Sequence, residues 1–227
     1  MELLNIFVNK IQENERDNII SIFLTGGFAR GEAIEGSDLD VWCIFNTINN
    51  ETLSKIGLII QNLPIKYNDL EINSQCLTIE EFNSGYFSKF LAYPIIHFEG
   101  ILLFGNDIAI TPVKNEMVIK IYKEFFAEVL MSIRHYISVS EPTEKLSHKK
   151  IKTWVLKPLM FALRLERYTN TNYYPLTCND LEKAYNNPLI SIEYYLNKEK
   201  WDNDIFNDSI KTLYFLHSEV ENLLKNG

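Results

Sequence analysis

The sequence predicts an α+β fold: strands and helices mixed in the first half, helices alone in the second. Three observations point there. Short β-branched and aromatic runs bounded by turn residues recur as far as Asn106. From Met117 onward the apolar residues recur at a helical period instead. The change of period falls near Thr111–Asn115, which divides the chain into domains 1–112 and 113–227.

The elements follow in order. Leu3, Ile6, Phe7 and Ile11 make an amphipathic helix of residues 3–14. Ile19–Leu24 reads as a buried strand, broken by Gly26-Gly27, with Phe28–Ala33 as the first turns of a helix behind the break. Leu39–Phe45 is a second strand, followed by a polar loop, Asn46–Glu51, and a helix, Leu53–Leu63, that stops before Pro64. Asp69–Thr78 is a third strand, Glu80 and Glu81 open a helix, and Ile101–Phe104 is a short strand closed by Gly105-Asn106. In the second half, Val118, Ile121, Phe125, Val129 and Ile133 form the apolar stripe of a long helix. Lys145–Tyr168 is a second helical segment that Pro158 kinks or splits, and Leu181–Tyr185 and Ser209–Lys225 are further helices.

Composition narrows the function classes. The chain has 227 residues, 46% hydrophobic and 23% charged, enough to bury a core. Its 22 Lys and Arg stand against 30 Asp and Glu, a net charge of −8, which argues against sequence-independent nucleic-acid binding. No apolar run reaches the roughly 20 residues that span a bilayer. The N-terminus lacks the basic and apolar blocks of a signal peptide. Cys43, Cys76 and Cys178 are far apart and form no disulfide or zinc pattern, so the expected compartment is the cytoplasm. His97, His135, His148 and His217 share no ligand spacing.

The chemistry concentrates in Phe23–Phe45, FLTGGFARGEAIEGSDLDVWCIF. A strand delivers Gly26 and Gly27 into a tight turn, where glycines let backbone N–H groups approach an anion and a helix N-terminus adds partial positive charge. Gly27 is the position where positive φ is expected and where a side chain would block that approach. Ser37-Asp38-Leu39-Asp40 lies ten residues after Gly27. Residues two apart on a strand share a face, so Asp38 and Asp40 aim their carboxylates the same way. Like charges that close repel unless a cation sits between them, and hard oxygen ligands suit Mg²⁺ or Mn²⁺. Trp42 is read as core, on the strand face opposite Asp40.

Gly26-Gly27, ten residues, then Asp38-x-Asp40 resembles the signature of the DNA polymerase β-like nucleotidyltransferase superfamily, across residues 19–79. The resemblance is closest in style to the small-molecule, aminoglycoside-type members. It implies a mixed sheet backed by helices and followed by a helical domain. It also implies transfer of a nucleoside monophosphate from an NTP to a hydroxyl, with two divalent metal ions and three carboxylates. The third carboxylate belongs on a neighbouring strand. Leu70-Glu71-Ile72 looks like the arrangement that supplies a general base in aminoglycoside-modifying relatives, and Asp69 is the alternative. Many members have Gly-Ser at the turn where this chain has Gly27, which leaves phosphate contacts to backbone N–H groups and Ser37. Arg30 either meets the triphosphate or bridges Glu32 or Glu35.

A basic stretch gathers Lys145, His148, Lys149, Lys150, Lys152, Lys157, Arg164 and Arg167. The segment from Leu156 to Thr177 resembles the helix–turn–Pro element whose basic side chains hold NTP phosphates in small-molecule nucleotidyltransferases. Carried over by that resemblance, Lys157 and Arg164, seven apart on one helical face, take that role, with a solvated helix face as the plainer reading. Tyr173, Tyr174, Tyr194 and Tyr195 line an acceptor pocket or belong to core. The expected reaction moves AMP from ATP to a small molecule, with a cationic aminoglycoside suited to an acidic protein. The alternatives are a protein or RNA acceptor, as in AMP-transferring antitoxins, and a non-catalytic nucleotide-binding protein of the same fold.

Overall fold

A computed structural model describes residues 2–34, 36–64, 70–84, 91–110, 112–139, 155–185 and 204–225. The chain divides into two compact units, Met1–Val113 and Lys114–Gly227.

The first unit runs α1 (Glu2–Glu15), β1 (Ile19–Thr25), α2 (Gly26–Ala29), β2 (Leu39–Phe45), α3 (Asn50–Gln61), β3 (Ile72–Thr78), α4 (Ile79–Ser84), α5 (Ala92–Glu99) and β4 (Ile101–Gly105). The strands form one mixed sheet in the order β3-β2-β1-β4. β1 is antiparallel to both β2 and β4, and β2 is parallel to β3. A parallel neighbour needs a crossover connection, and α3 supplies it. The helical stripe Leu3, Leu4, Phe7 and Ile11 of α1 packs with Ile56 and Ile59 of α3 onto Ile22, Leu24, Leu39, Val41, Cys43 and Phe45. Leu39, Val41, Cys43 and Phe45 are alternate residues of β2, so they define one face of the strand. Trp42 is buried, at 6% exposure, but alternation puts it on Asp40's face and not opposite, a correction to the sequence expectation. The period of two settles it: Asp40 and Trp42 are two apart.

Several boundaries shift for local reasons. The helix expected at Phe28–Ala33 is a single turn at Gly26–Ala29, because Gly26 enters it directly from β1 at φ +72°. Gly31, at φ +71°, ends the turn. α3 begins at Asn50 because Asn49 caps it, its side chain accepting from Thr52 N–H at 2.9 Å. β3 starts at Ile72 and not at Asp69, which lies outside the described residues. No helix was predicted where α5 lies, and Pro94 stands in its first turn. Proline is tolerated in a first helical turn, whose N–H groups have no intrahelical acceptor.

The second unit holds α6 (Asn115–Val139), α7 (Lys157–Thr171), α8 (Cys178–Ala184) and α9 (Asp204–Lys225), with no strand among its described residues. The stripe Val118, Ile121, Tyr122, Phe126, Val129 and Ile133 of α6 is buried. Of the predicted Lys145–Tyr168 segment, residues 145–154 lie outside the described ones; Val155 and Leu156 are helical and lead into α7, which has Pro158 in its first turn. α8 starts at Cys178, earlier than predicted, because Thr177 and Asp180 form a capping box.

Candidate active site

The site lies where β1 ends and β2 and β3 begin. Thr25 of β1 pairs with Asp40 of β2, and Asp40 pairs with Asn73 of β3. Leu39 pairs with Ile72, and the Leu39 N–H donates to the Glu71 carbonyl at 2.7 Å. One step before this pair, Asp38 and Glu71 stand side by side at the entrances of their strands. Asp40 and Asn73 face each other across the β2–β3 pair, while Asp38 and Glu71 lie one residue before β2 and β3. Asp38 and Glu71 are exposed and Asp40 is half-buried.

Gly26 shapes the pocket side of Asp40. A Cβ built on it would lie 2.2 Å from Asp40 Oδ2, and its backbone sits at positive φ. No side chain fits there. Gly27, where positive φ was expected, has neither feature: its nearest neighbour to an added Cβ is Ala33 Cα at 3.5 Å, an ordinary contact. The strain-bearing glycine is the first of the pair. On the opposite side of Asp40, Asn73 Nδ2 donates to Oδ1 at 2.9 Å, and Gln75 Nε2 donates to Asn73 Oδ1 at 3.1 Å. Asn73 was missed in the sequence, although Asn73 and Gln75 alternate on one face.

The loop after the glycines is closed by its own polar groups. The Arg30 N–H donates to Gly26 O and the Glu32 N–H to Gly27 O. Ser37 Oγ accepts from the Ile34 N–H at 2.9 Å, so the serine closes the turn that leads into Asp38. Arg30 is buried and bridges two carboxylates, Glu32 at 2.9 Å and Glu99 at 2.5 Å. Burial alone would lower its pKa. Glu99 and Glu32 outweigh that and hold it above the ordinary arginine value. Of the two roles open for Arg30, the geometry displays the bridging one, and its second partner is Glu99 of α5.

The second unit separates its two predicted phosphate ligands. Lys157 is exposed at the start of α7. Arg164 is 2% exposed, its Nε donating to Pro175 O at 3.0 Å and its guanidinium lying 5.5 Å from the Phe161 ring centroid. It is built into the core of the unit. Tyr173 is exposed, and Tyr194 and Tyr195 lie outside the described residues, as do Lys145, His148, Lys149, Lys150 and Lys152.

Among the described residues no three His, Cys, Asp or Glu side chains converge closely enough to hold a metal ion. The donor set nevertheless suits a hard divalent cation. Asp38, Asp40 and Glu71 offer only oxygen ligands, the kind that hard divalent cations take.

Residues 4–90 match the protein family described as Nucleotidyltransferase domain. No curated protein matches the chain by sequence. Among solved structures, the crystal structure of spectinomycin adenyltransferase AAD(9) from Enterococcus faecialis, with ATP and spectinomycin, is similar at a TM-score of 0.57 and 12% identity. The match covers 97% of this chain and 98% of that one. At that identity the likeness speaks to the fold, a mixed sheet with helices followed by a helical region. The Gly-Gly turn and the Asp38-x-Asp40 segment lie within residues 4–90, the stretch that matches the Nucleotidyltransferase domain family, and that match supports a transferase enzyme.

Proposed function

We propose that this enzyme transfers AMP from ATP to a hydroxyl of a small molecule, with aminoglycoside-like antibiotics as the acceptor class to test first. The observation that carries the reading is the three-strand register Thr25–Asp40–Asn73, which sets Asp40 next to the glycine turn, with Asp38 and Glu71 one residue before β2 and β3. The similar AAD(9) structure, which holds ATP with spectinomycin, supports a nucleotide and a small acceptor as the substrate pair.

Asp38, Asp40 and Glu71 would hold Mg²⁺ or Mn²⁺, which when bound neutralises phosphate charge and polarises the α-phosphoryl group. The backbone N–H groups of the Gly26-Gly27 turn would receive phosphate oxygens, within a loop that Ser37 and Arg30 hold in shape. Glu71 accepts the proton of the attacking hydroxyl. The acceptor oxygen then bonds to the α-phosphorus as the bond to the bridging oxygen breaks and pyrophosphate leaves. Lys157 is the exposed cation of the helical unit proposed to meet the phosphates. Arg164 supports the unit from within. Residues 1–112 are the catalytic domain in this reading and 113–227 the helical domain. Among the described residues no helix is long and apolar enough to cross a membrane.

The test is turnover of α-labelled ATP with Mg²⁺ against a panel of aminoglycoside, aminocyclitol and neutral sugar acceptors. Label transferred to one of them supports the reading. Metal-dependent thermal stabilisation by ATP without transfer to any small acceptor would move it to a macromolecular acceptor. Absence of ATP binding would end it.

A further inference from the structure

We propose that Asn73 is the positioning residue of the candidate site: its amide fixes the rotation of the Asp40 carboxylate so that this group meets a divalent cation in a single orientation. The inference rests on the nucleotidyl-transfer reading and assigns a role to a residue outside the Gly-Gly and Asp-x-Asp motif.

An aspartate carboxylate turns easily about its terminal torsion, where the energy wells are broad. Asp40 is held on both sides. Asn73 Nδ2 donates to Oδ1 at 2.9 Å. Gly26 backs Oδ2 so closely that an added Cβ would lie 2.2 Å from it. The Asn73 amide is itself oriented. Gln75 Nε2 donates to Asn73 Oδ1 at 3.1 Å, so a flipped amide would set its NH₂ against the Gln75 donor and its oxygen against the Asp40 carboxylate, losing both bonds. The ladder is anchored in the backbone, because Asp40 pairs with Asn73 and Trp42 with Gln75 in the parallel register.

Position 73 directly faces Asp40, and an acid there would place a like charge against it, which is unfavourable for facing residues. A neutral donor gives Asp40 a hydrogen bond instead.

The experiment measures Mn²⁺ binding by electron paramagnetic resonance in the presence of a non-hydrolysable ATP analogue, with thermal melting as the fold control. Asn73→Leu removes the donor at similar volume. It is expected to weaken Mn²⁺ binding by about 10–100-fold, the usual cost of losing a residue that orients a metal ligand, with the melting temperature retained. Asn73→Asp decides between orienting and ligating. It should weaken binding as well, because it trades the donor for a charge facing Asp40. Equal or tighter Mn²⁺ binding by Asn73→Asp would make position 73 a direct ligand and overturn the proposal, as would unchanged binding by Asn73→Leu. Should both variants unfold, Gln75→Leu frees the Asn73 amide without touching Asp40. A smaller but measurable weakening is then expected, and wild-type affinity would overturn the inference. Wild-type protein that takes up no Mn²⁺ with the analogue would bring down the transfer reading together with this one. A failure confined to the variants leaves that reading intact.

Discussion

At the scale of single residues, two glycines that look alike in the sequence are not equivalent. Gly26 is at φ +72° with Asp40 Oδ2 against its Cα, whereas Gly27 has ordinary space around it. Gly26→Ala must both adopt a left-handed conformation, worth about 1–2 kcal/mol, and push Asp40 aside. We expect it to lose ATP-dependent transfer and to unfold at lower urea, while Gly27→Ala stays near wild type in both. The reverse ranking would locate the phosphate turn one residue later. Glu71→Gln keeps size but removes the proton acceptor. ATP should still bind by calorimetry, and transfer should fall by about 10²–10⁴-fold, the usual worth of a general base. Retained transfer would assign the base elsewhere. The Asp pair and Glu71 were singled out in the sequence because they fit a motif, and the structure puts Asp40 on β2 with Asp38 and Glu71 one residue before their strands. Asn73 was not singled out, because its importance comes from the register between β2 and β3, which no single strand encodes. The face of Trp42 was legible and was misread: the strand period alone gives it.

At the scale of elements, the site depends on a strut that the sequence conceals. Arg30 follows the glycine turn and Glu99 ends α5, 69 positions away, yet they meet at 2.5 Å with the Glu99 side chain fully buried. Removing Glu99 leaves the Arg30 guanidinium with Glu32 in place of two carboxylates, a loss that stays below the about 3–5 kcal/mol typical of a buried charge left without any partner. Glu99→Ala should therefore lower the urea midpoint of the first unit, and Glu99→Gln, which still accepts a hydrogen bond, should lower it less. Equal effects would mean that charge is irrelevant to the strut. No spacing rule links the glycine turn to Glu99, 69 positions from Arg30, so this partner of Arg30 was not found in the sequence. In the helical unit, burial raises the pKa of Glu166, partly offset by hydrogen bonds from Tyr185 and Asn170. The folded protein therefore holds this proton more tightly than the unfolded chain, whose value is near 4.5. The stabilisation is complete below that value and is lost as pH rises through the raised folded one. Glu166→Gln should flatten this part of the stability profile, read as urea midpoints from pH 4 to pH 8. An unaltered slope would show that Glu166 does not titrate across that range.

At the scale of the whole molecule, a net charge of −8 favours approach of cations over anions. If the acceptor is polycationic, its KM should rise as salt shortens the screening length from about 30 Å at 0.01 M to about 8 Å at 0.15 M. A neutral acceptor of similar size should show no such trend, and identical salt responses would remove steering from the account. The division into a mixed unit and a helical unit was legible from the change of hydrophobic period. The pairing of Arg164 with a backbone carbonyl was not, because an arginine on an amphipathic helix reads the same whether it faces solvent or core. The mixed sheet also sets an order of events. Thr25 and Asp40 are joined by a short antiparallel connection, but Asp40 and Asn73 meet only after the chain has travelled through α3 and returned parallel. Closing the longer loop costs more chain entropy before any contact rewards it. During synthesis and refolding the two aspartates and the glycine turn therefore come into place first, and the carboxylate of Glu71 arrives last, so that a partly folded chain presents an anionic half-site without the group that completes it.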